Sequence, residues 1–211
     1  MKIICIARNY PEHAGEMGAP IYERGSKEAA SPSFFLKPDS ALLINNKPFF
    51  YPEFSNRIEH EVEVVVRIDR VGKCIAEQFS HRYYTHVALG VDFTARDLQS
   101  EAKAKGLPWT MSKGFDGSAV LSDFVALEEL GGDIQNLSFS LSRNGTTVQS
   151  GNTCNMLCSV DRMISYISQF MLLRTGDIIY TGTPSGVGPV EIGDLLEGEI
   201  QGRQLLHFHI R

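Results

Sequence analysis

Glu59, Glu61 and Glu63 alternate with Ile58, His60, Val62 and Val64 in the stretch Ile58–Ile68. β-Branched residues dominate this stretch, so it reads as one strand whose glutamates share a face and whose Val62, Val64, Val66 and Ile68 enter a core. Carboxylates crowded on one face repel each other unless protons or a cation intervene. Their oxygens suit a hard divalent ion, Mg²⁺ or Mn²⁺. Asp92, set between Val91 and Phe93 ahead of a helix, is the third ligand expected beside Glu61 and Glu63, because an unpaired acid there is costly. Glu59 begins the strand and either competes for the ion or is solvated. The same pattern also fits an edge strand whose exposed acids discourage pairing with another sheet.

Other candidates are weaker taken singly. His13 and Glu16 stand three apart, so a short helix brings them to one side. They read either as a base oriented by a carboxylate or as surface neighbours. Lys113, between Ser112 and Gly114, is either a cation aimed at an anionic intermediate or a surface residue whose stem covers apolar atoms. The loop Thr181–Gly188 offers amides and hydroxyls suited to carboxylates or phosphates but lacks the GK[ST] of a P-loop. Asp97 fits a first-turn carboxylate. His60, His81, His86, His207 and His209 show no metal-ligand spacing.

The elements that must hold these residues are mainly strands. Strands are expected over Met1–Ala7, Phe34–Leu36, Ala41–Ile44, Ile178–Tyr180, Leu195–Ile200 and Leu205–Ile210, and Asn144-Gly145 marks a hairpin turn between Phe139–Arg143 and Thr146–Gln149. Helical spacing appears over Ala76–Ala88, Arg96–Lys105 and Val160–Leu172, the second ended by Gly106-Leu107-Pro108. Residues 11–32 are polar, rich in Gly and Pro, and too long for a routine connection; they read as a disordered excursion or a lid. The fold class is mainly β with attached helices (α+β), in one domain over 1–211.

At 211 residues, 43% hydrophobic and 21% charged, the chain has an ordinary globular composition. Its net charge of −5, without a Lys/Arg run, argues against duplex nucleic acid as a partner. No apolar stretch approaches 18 residues, which argues against a membrane span. The opening apolar run is too short for a signal sequence, so the expected compartment is cytoplasmic. Cys5, Cys74, Cys154 and Cys158 form no disulfide framework or zinc pattern and read as reduced, mostly buried thiols.

Six segments in order carry a resemblance: RNYPEHAGEM (Arg8–Met17), SFFLKP (Ser33–Pro38), HEVEVVV (His60–Val66), DFTARDLQ (Asp92–Gln99), KGLPWTMSKGFD (Lys105–Asp116) and GDIIYTGTPSGVGPV (Gly176–Val190). The chain resembles the fumarylacetoacetate hydrolase superfamily, and within it the acylpyruvate hydrolase and oxaloacetate decarboxylase branch. The resemblance implies a β-roll or β-sandwich, a homodimer, and Mg²⁺ or Mn²⁺ on Glu61, Glu63 and Asp92. It makes Lys113 an active-site cation and His13 with Glu16 a catalytic dyad on the lid. Arg96, Gln99 and Thr183 then line the pocket of a small 2-oxo acid. An acidic Glu59 departs from the expected pattern.

The activity so implied is hydrolysis of the C3–C4 bond of acylpyruvates, of the fumarylpyruvate or acetylpyruvate type, to pyruvate and a carboxylic acid. Decarboxylation of oxaloacetate through the same enolate is also admitted. An oxaloacetate keto–enol tautomerase or 2-oxo-diacid isomerase is the enzymatic alternative. A non-catalytic β-rich binding domain is the alternative from another class.

Overall fold

The computed structural model describes residues 1–16, 22–29 and 31–211, so Met17–Ile21 and Ala30 of the expected lid lie outside the described residues. Among the described residues, strands form three sheets. The largest contains β1 (Ile3–Ile6), β2 (Phe34–Lys37), β3 (Leu42–Leu43), β5 (Val62–Arg67), β6 (His86–Asp92), β8 (Ala119–Leu121), β9 (Val125–Ala126) and β12 (Ile178–Tyr180). Its order is β2-β1-β12-β5-β6-β8-β3, with β9 also on β6. A small sheet joins β4 (Ile58–His60), β7 (Thr94–Ala95) and β13 (Gly188–Pro189) in the order β13-β4-β7. The third, ordered β11-β10-β14-β15, comprises β10 (Ser138–Arg143), β11 (Thr146–Asn152), β14 (Leu195–Ile200) and β15 (Arg203–His209). The helices are α1 (Pro11–Glu16), α2 (Arg96–Lys105), α3 (Thr110–Lys113) and α4 (Val160–Phe170). None is long and apolar enough to cross a membrane among the described residues.

The large sheet is covered on both faces, which explains its near-continuous apolar runs. Ile4, Val64, Val66, Leu89 and Val91 pack with Leu141, Leu196 and Phe208 of the third sheet. Their strand neighbours Ile3, Cys5, Val65 and Ala88 turn the other way to join Tyr180 in a second apolar cluster. Gly90 on β6 makes room for that cluster: a Cβ there would lie 2.5 Å from Tyr180 Cε1 and 2.8 Å from the Val120 carbonyl oxygen. Tyr180 then donates its hydroxyl to that carbonyl at 2.7 Å. Gly90→Ala is expected to destabilise the protein by about 1–3 kcal/mol through overpacking. Urea denaturation checks this, and an unchanged midpoint would show that the strands yield without cost.

Three expectations require correction. Ile58–Ile68 is not one strand: β4 pairs with β13 and β7, whereas β5 pairs with β12 and β6, and Glu61 belongs to neither. Residues 76–88 are not an α-helix; Glu77–Tyr83 is a 3₁₀ helix and His86 begins β6. The i, i+4 spacing of Phe79, Tyr83 and Val87 imitated a helix, but ladder pairing with β5 claims Val87 and its successors. Of the thiols, Cys5 and Cys158 are buried, whereas Cys74 stands exposed in a bend and Cys154 in the short 3₁₀ helix Thr153–Asn155.

Other elements match the reading closely. Gly106 (φ +64°) caps α2, its amide bonding back to Ala102 and Lys103. Asn144 and Gly145, both at positive φ, turn the β10–β11 hairpin. Ser159 caps α4, which buries Met163, Ile164 and Ile167.

Candidate active site

Glu61, Glu63 and Asp92 reach the site from the sheet framework. Glu63 lies within β5, Asp92 ends β6, and the amide of Asp92 donates to the Glu61 carbonyl oxygen at 2.9 Å. Each of the three is buried and offers a carboxylate oxygen within 4.8 Å of the others. Lys113, at the end of α3, donates to Glu61 Oε2 and Asp92 Oδ2, both at 2.8 Å. Arg96, opening α2, lies 2.5 Å from Glu61 Oε1 and 2.5 Å from Glu59 Oε2, and donates to Gln99 Oε1 at 2.6 Å.

Two readings of single residues change here. Glu59 is not solvated: it is buried between Arg96 and Arg57, the latter 2.7 Å away. Lys113 is not a snorkelling surface residue but is buried, with its ammonium 5.3 Å from the Phe35 ring centre.

A further cation escaped the sequence reading. Lys37, at the end of β2, has a fully buried side chain and lies 2.6 Å from Asp92 Oδ1, while donating to the carbonyls of Ser118 and Phe93. Its only sequence signal was a lysine closing the apolar run Phe34-Phe35-Leu36 before Pro38.

The residues present fit a divalent ion. Of the four buried carboxylates, Glu59 is paired with Arg57 and Arg96, Glu61 with Arg96 and Lys113, and Asp92 with Lys37 and Lys113, whereas among the described residues Glu63 has no ion pair. Burial would raise the pKa of Glu61, but Lys113 and Arg96 overcome that effect and hold it below the usual carboxylate range. Glu63 is pushed well above that range by burial and by its neighbours Asp92 and Glu61, with the Gly182 amide, at 2.6 Å, only partly offsetting them. Asp92 Oδ1 is buried with the Lys37 ammonium beside it at 2.6 Å, a contact that leaves it a free lone pair. A hard cation relieves the crowding on Glu63, and the ion-paired oxygens of Glu61 and Asp92 retain lone pairs for it.

These groups open into a cavity of about 370 Å³. Its walls include His13, Glu61, Glu63, Asp92, Arg96, Gln99, Lys113 and Thr183, with Phe35 and Trp109 as apolar facing. Glu16 stands behind His13, its Oε2 3.6 Å from Nδ1, and that buried ring nitrogen makes no hydrogen bond. Both oxygens of Glu16 instead accept from the Gly186 amide, at 3.0 and 3.2 Å. Gly186 is irreplaceable in this turn: φ is +93°, and a Cβ would meet the Val148 carbonyl oxygen at 2.3 Å. Burial, reinforced by Arg96 and Lys113, lowers the His13 pKa, against the opposing pull of Glu61 and Glu16. The imidazole is therefore neutral near pH 7 and has a lone pair to accept a proton.

The family profile described as fumarylacetoacetate (FAA) hydrolase C-terminal matches residues 2–210. A mitochondrial oxaloacetate tautomerase of Bos taurus is 38% identical over 208 residues, spanning 99% of this chain and 90% of that protein. The mitochondrial oxaloacetate decarboxylase of Dictyostelium discoideum is 41% identical over 202 residues, spanning 95% of this chain and 89% of its own. Fumarylpyruvate hydrolase from Pseudomonas aeruginosa, solved in complex with Mn²⁺ and pyruvate, superposes with a TM-score of 0.91 at 32% identity, over 100% of this chain and 89% of that one. With profile, sequence and fold agreeing across nearly the whole length, the chain belongs to the fumarylacetoacetate hydrolase family.

Proposed function

We propose that the chain is a divalent-metal-dependent enzyme acting at C3 of a short 2-oxo acid, with keto–enol tautomerisation of oxaloacetate as its first activity. The observation that carries this reading is the meeting, in one cavity, of a buried carboxylate triad with the uncharged base His13. The similarity to an oxaloacetate tautomerase and an oxaloacetate decarboxylase supports the choice of substrate.

Glu61, Glu63 and Asp92 hold the ion, which when bound supplies Lewis acidity toward the carboxylate and 2-oxo oxygens of the substrate. Arg96, Gln99 and Thr183 orient the acid within the cavity. The His13 ring nitrogen turned away from Glu16 takes a proton from C3. The C–H electron pair moves into the C2–C3 bond and the carbonyl pair onto the C2 oxygen, and return of the proton to that oxygen gives the enol. Lys113, whose pKa is raised by Asp92 and Glu61 against the effect of burial, stays charged and stabilises the developing oxyanion. Phe35 and Trp109, with His13 of α1, limit access of bulk water.

A second reading, hydrolysis of acylpyruvates, is favoured by the His13–Glu16 pair. The same neutral imidazole can take a proton from water, and the hydroxide then attacks the distal carbonyl; the C3–C4 electron pair leaves with the pyruvate fragment as its enolate, the acyl part departs as a carboxylic acid, and His13 returns its proton to C3. Turnover of oxaloacetate, acetylpyruvate and fumarylpyruvate with Mg²⁺ or Mn²⁺, repeated with EDTA, tests both. Tautomerisation of oxaloacetate that EDTA abolishes is expected. Cleavage of the acylpyruvates at a higher kcat/KM would promote the second reading, and metal-independent turnover or none would defeat both.

A further inference from the structure

The third sheet reaches the site through Gln149. Its partner register passes from Leu141↔Gln149 to Ser142↔Thr147, leaving Val148 as an extra residue in β11. Such a bulge re-aims the adjoining side chain. Gln149 is 1% exposed, and its amide group is fully engaged. Oε1 accepts from the Val62 amide at 3.0 Å and lies 2.9 Å from His60 Nδ1. Nε2 donates to Thr183 Oγ1 at 2.8 Å and to the Pro184 carbonyl at 3.0 Å. The Val62 N–H can only donate and the Pro184 carbonyl can only accept, so the amide has one consistent orientation and His60 Nδ1 carries the proton.

His60 and Val62 flank Glu61, which lies in the gap between β4 and β5 outside either ladder. One face of the Gln149 amide therefore brackets a carboxylate of the triad, and the other holds the hydroxyl of a pocket residue. We infer that Gln149 is a positioning residue that fixes Glu61 and Thr183 relative to each other, so that one amide sets both the metal ligand and the substrate contact. This rests on the roles given to Glu61 and Thr183 above.

Two substitutions separate the faces of the amide. Gln149→Met keeps volume and loses every hydrogen bond, and should weaken Mn²⁺ binding by about 10–100-fold, the effect typical of losing a group that orients a ligand. Gln149→Glu keeps the acceptor facing His60 and Val62 but loses both donors. It should leave Mn²⁺ affinity near that of the wild type while weakening oxalate binding to the Mn²⁺-loaded protein by about tenfold. Calorimetry reads both affinities without reference to turnover. A purely structural glutamine predicts lowered melting temperatures with no split between the two ligands. Wild-type Mn²⁺ affinity in folded Gln149→Met, or parallel losses in Gln149→Glu, overturns the inference. If Gln149→Met does not fold, the split in Gln149→Glu decides alone. If the wild type takes up no Mn²⁺, the triad reading fails and this one with it; uptake by the wild type without the split sinks only the role of Gln149.

Discussion

Glu61→Ala is expected to abolish measurable Mn²⁺ binding while the protein stays folded. The expected loss exceeds the roughly 10–100-fold caused by removing groups that merely orient a ligand, because one of three carboxylates in the triad is gone. Folding survives because the cations touching Glu61 keep other partners: Lys113 retains Asp92 at 2.8 Å, and Arg96 retains Glu59 at 2.5 Å. Asp92→Ala makes the contrasting case. It strands the buried ammonium of Lys37 against two carbonyls, so it should cost about 3–5 kcal/mol of stability in addition to the metal. Calorimetric titration with Mn²⁺, paired with thermal melts of both variants, checks the distinction. Wild-type affinity in Glu61→Ala would remove Glu61 from the ligand set.

His13→Asn is expected to leave Mn²⁺ affinity intact and to lower both the proposed tautomerisation and acylpyruvate cleavage by about 10²–10⁴-fold, the usual contribution of a positioned base. Decarboxylation of oxaloacetate should fall less, since loss of CO₂ yields the enolate without removal of a proton. The pH profile gives a second test. Burial, Arg96 and Lys113 hold His13 below the ordinary histidine value of 6.5. As pH falls through that lowered value the imidazole gains a proton and loses its basic lone pair. The acid limb of the rate therefore lies below pH 6.5 in the wild type and is absent from the residual activity of the variant. Equal loss of all three activities would show that His13 is not the proton acceptor.

How much of this was legible in the sequence depended on whether a signal was local. The carboxylates were legible because strand alternation is local: Glu61 and Glu63 announce themselves by their valine neighbours, and Asp92 by its apolar flanks. The hairpin at Asn144-Gly145 and the cap at Gly106 were equally local. Lys37 was missed because its acid partner lies 55 positions later, and a lysine closing a strand before proline reads as a strand end facing water. Glu59 was misjudged because Arg96, 37 positions later, is brought over it by the pairing of β4 with β7. Gln149 closes a polar strand after the turn and carries no local signal of burial; the bulge at Val148 that accompanies its buried position is a property of pairing rather than of composition.

Glu61, Glu63 and Asp92 hang from interlocked backbone, whereas His13 and Glu16 ride on a six-residue helix moored to the loop beyond β12 by the Gly186 amide and by the Ser185 hydroxyl, which donates to Glu12. The proposed anchorage of the ion is thus masonry, and the part proposed to handle protons is joinery fastened to it. Substitutions confined to that short helix and its mooring are therefore expected to alter the reaction while leaving the stonework untouched.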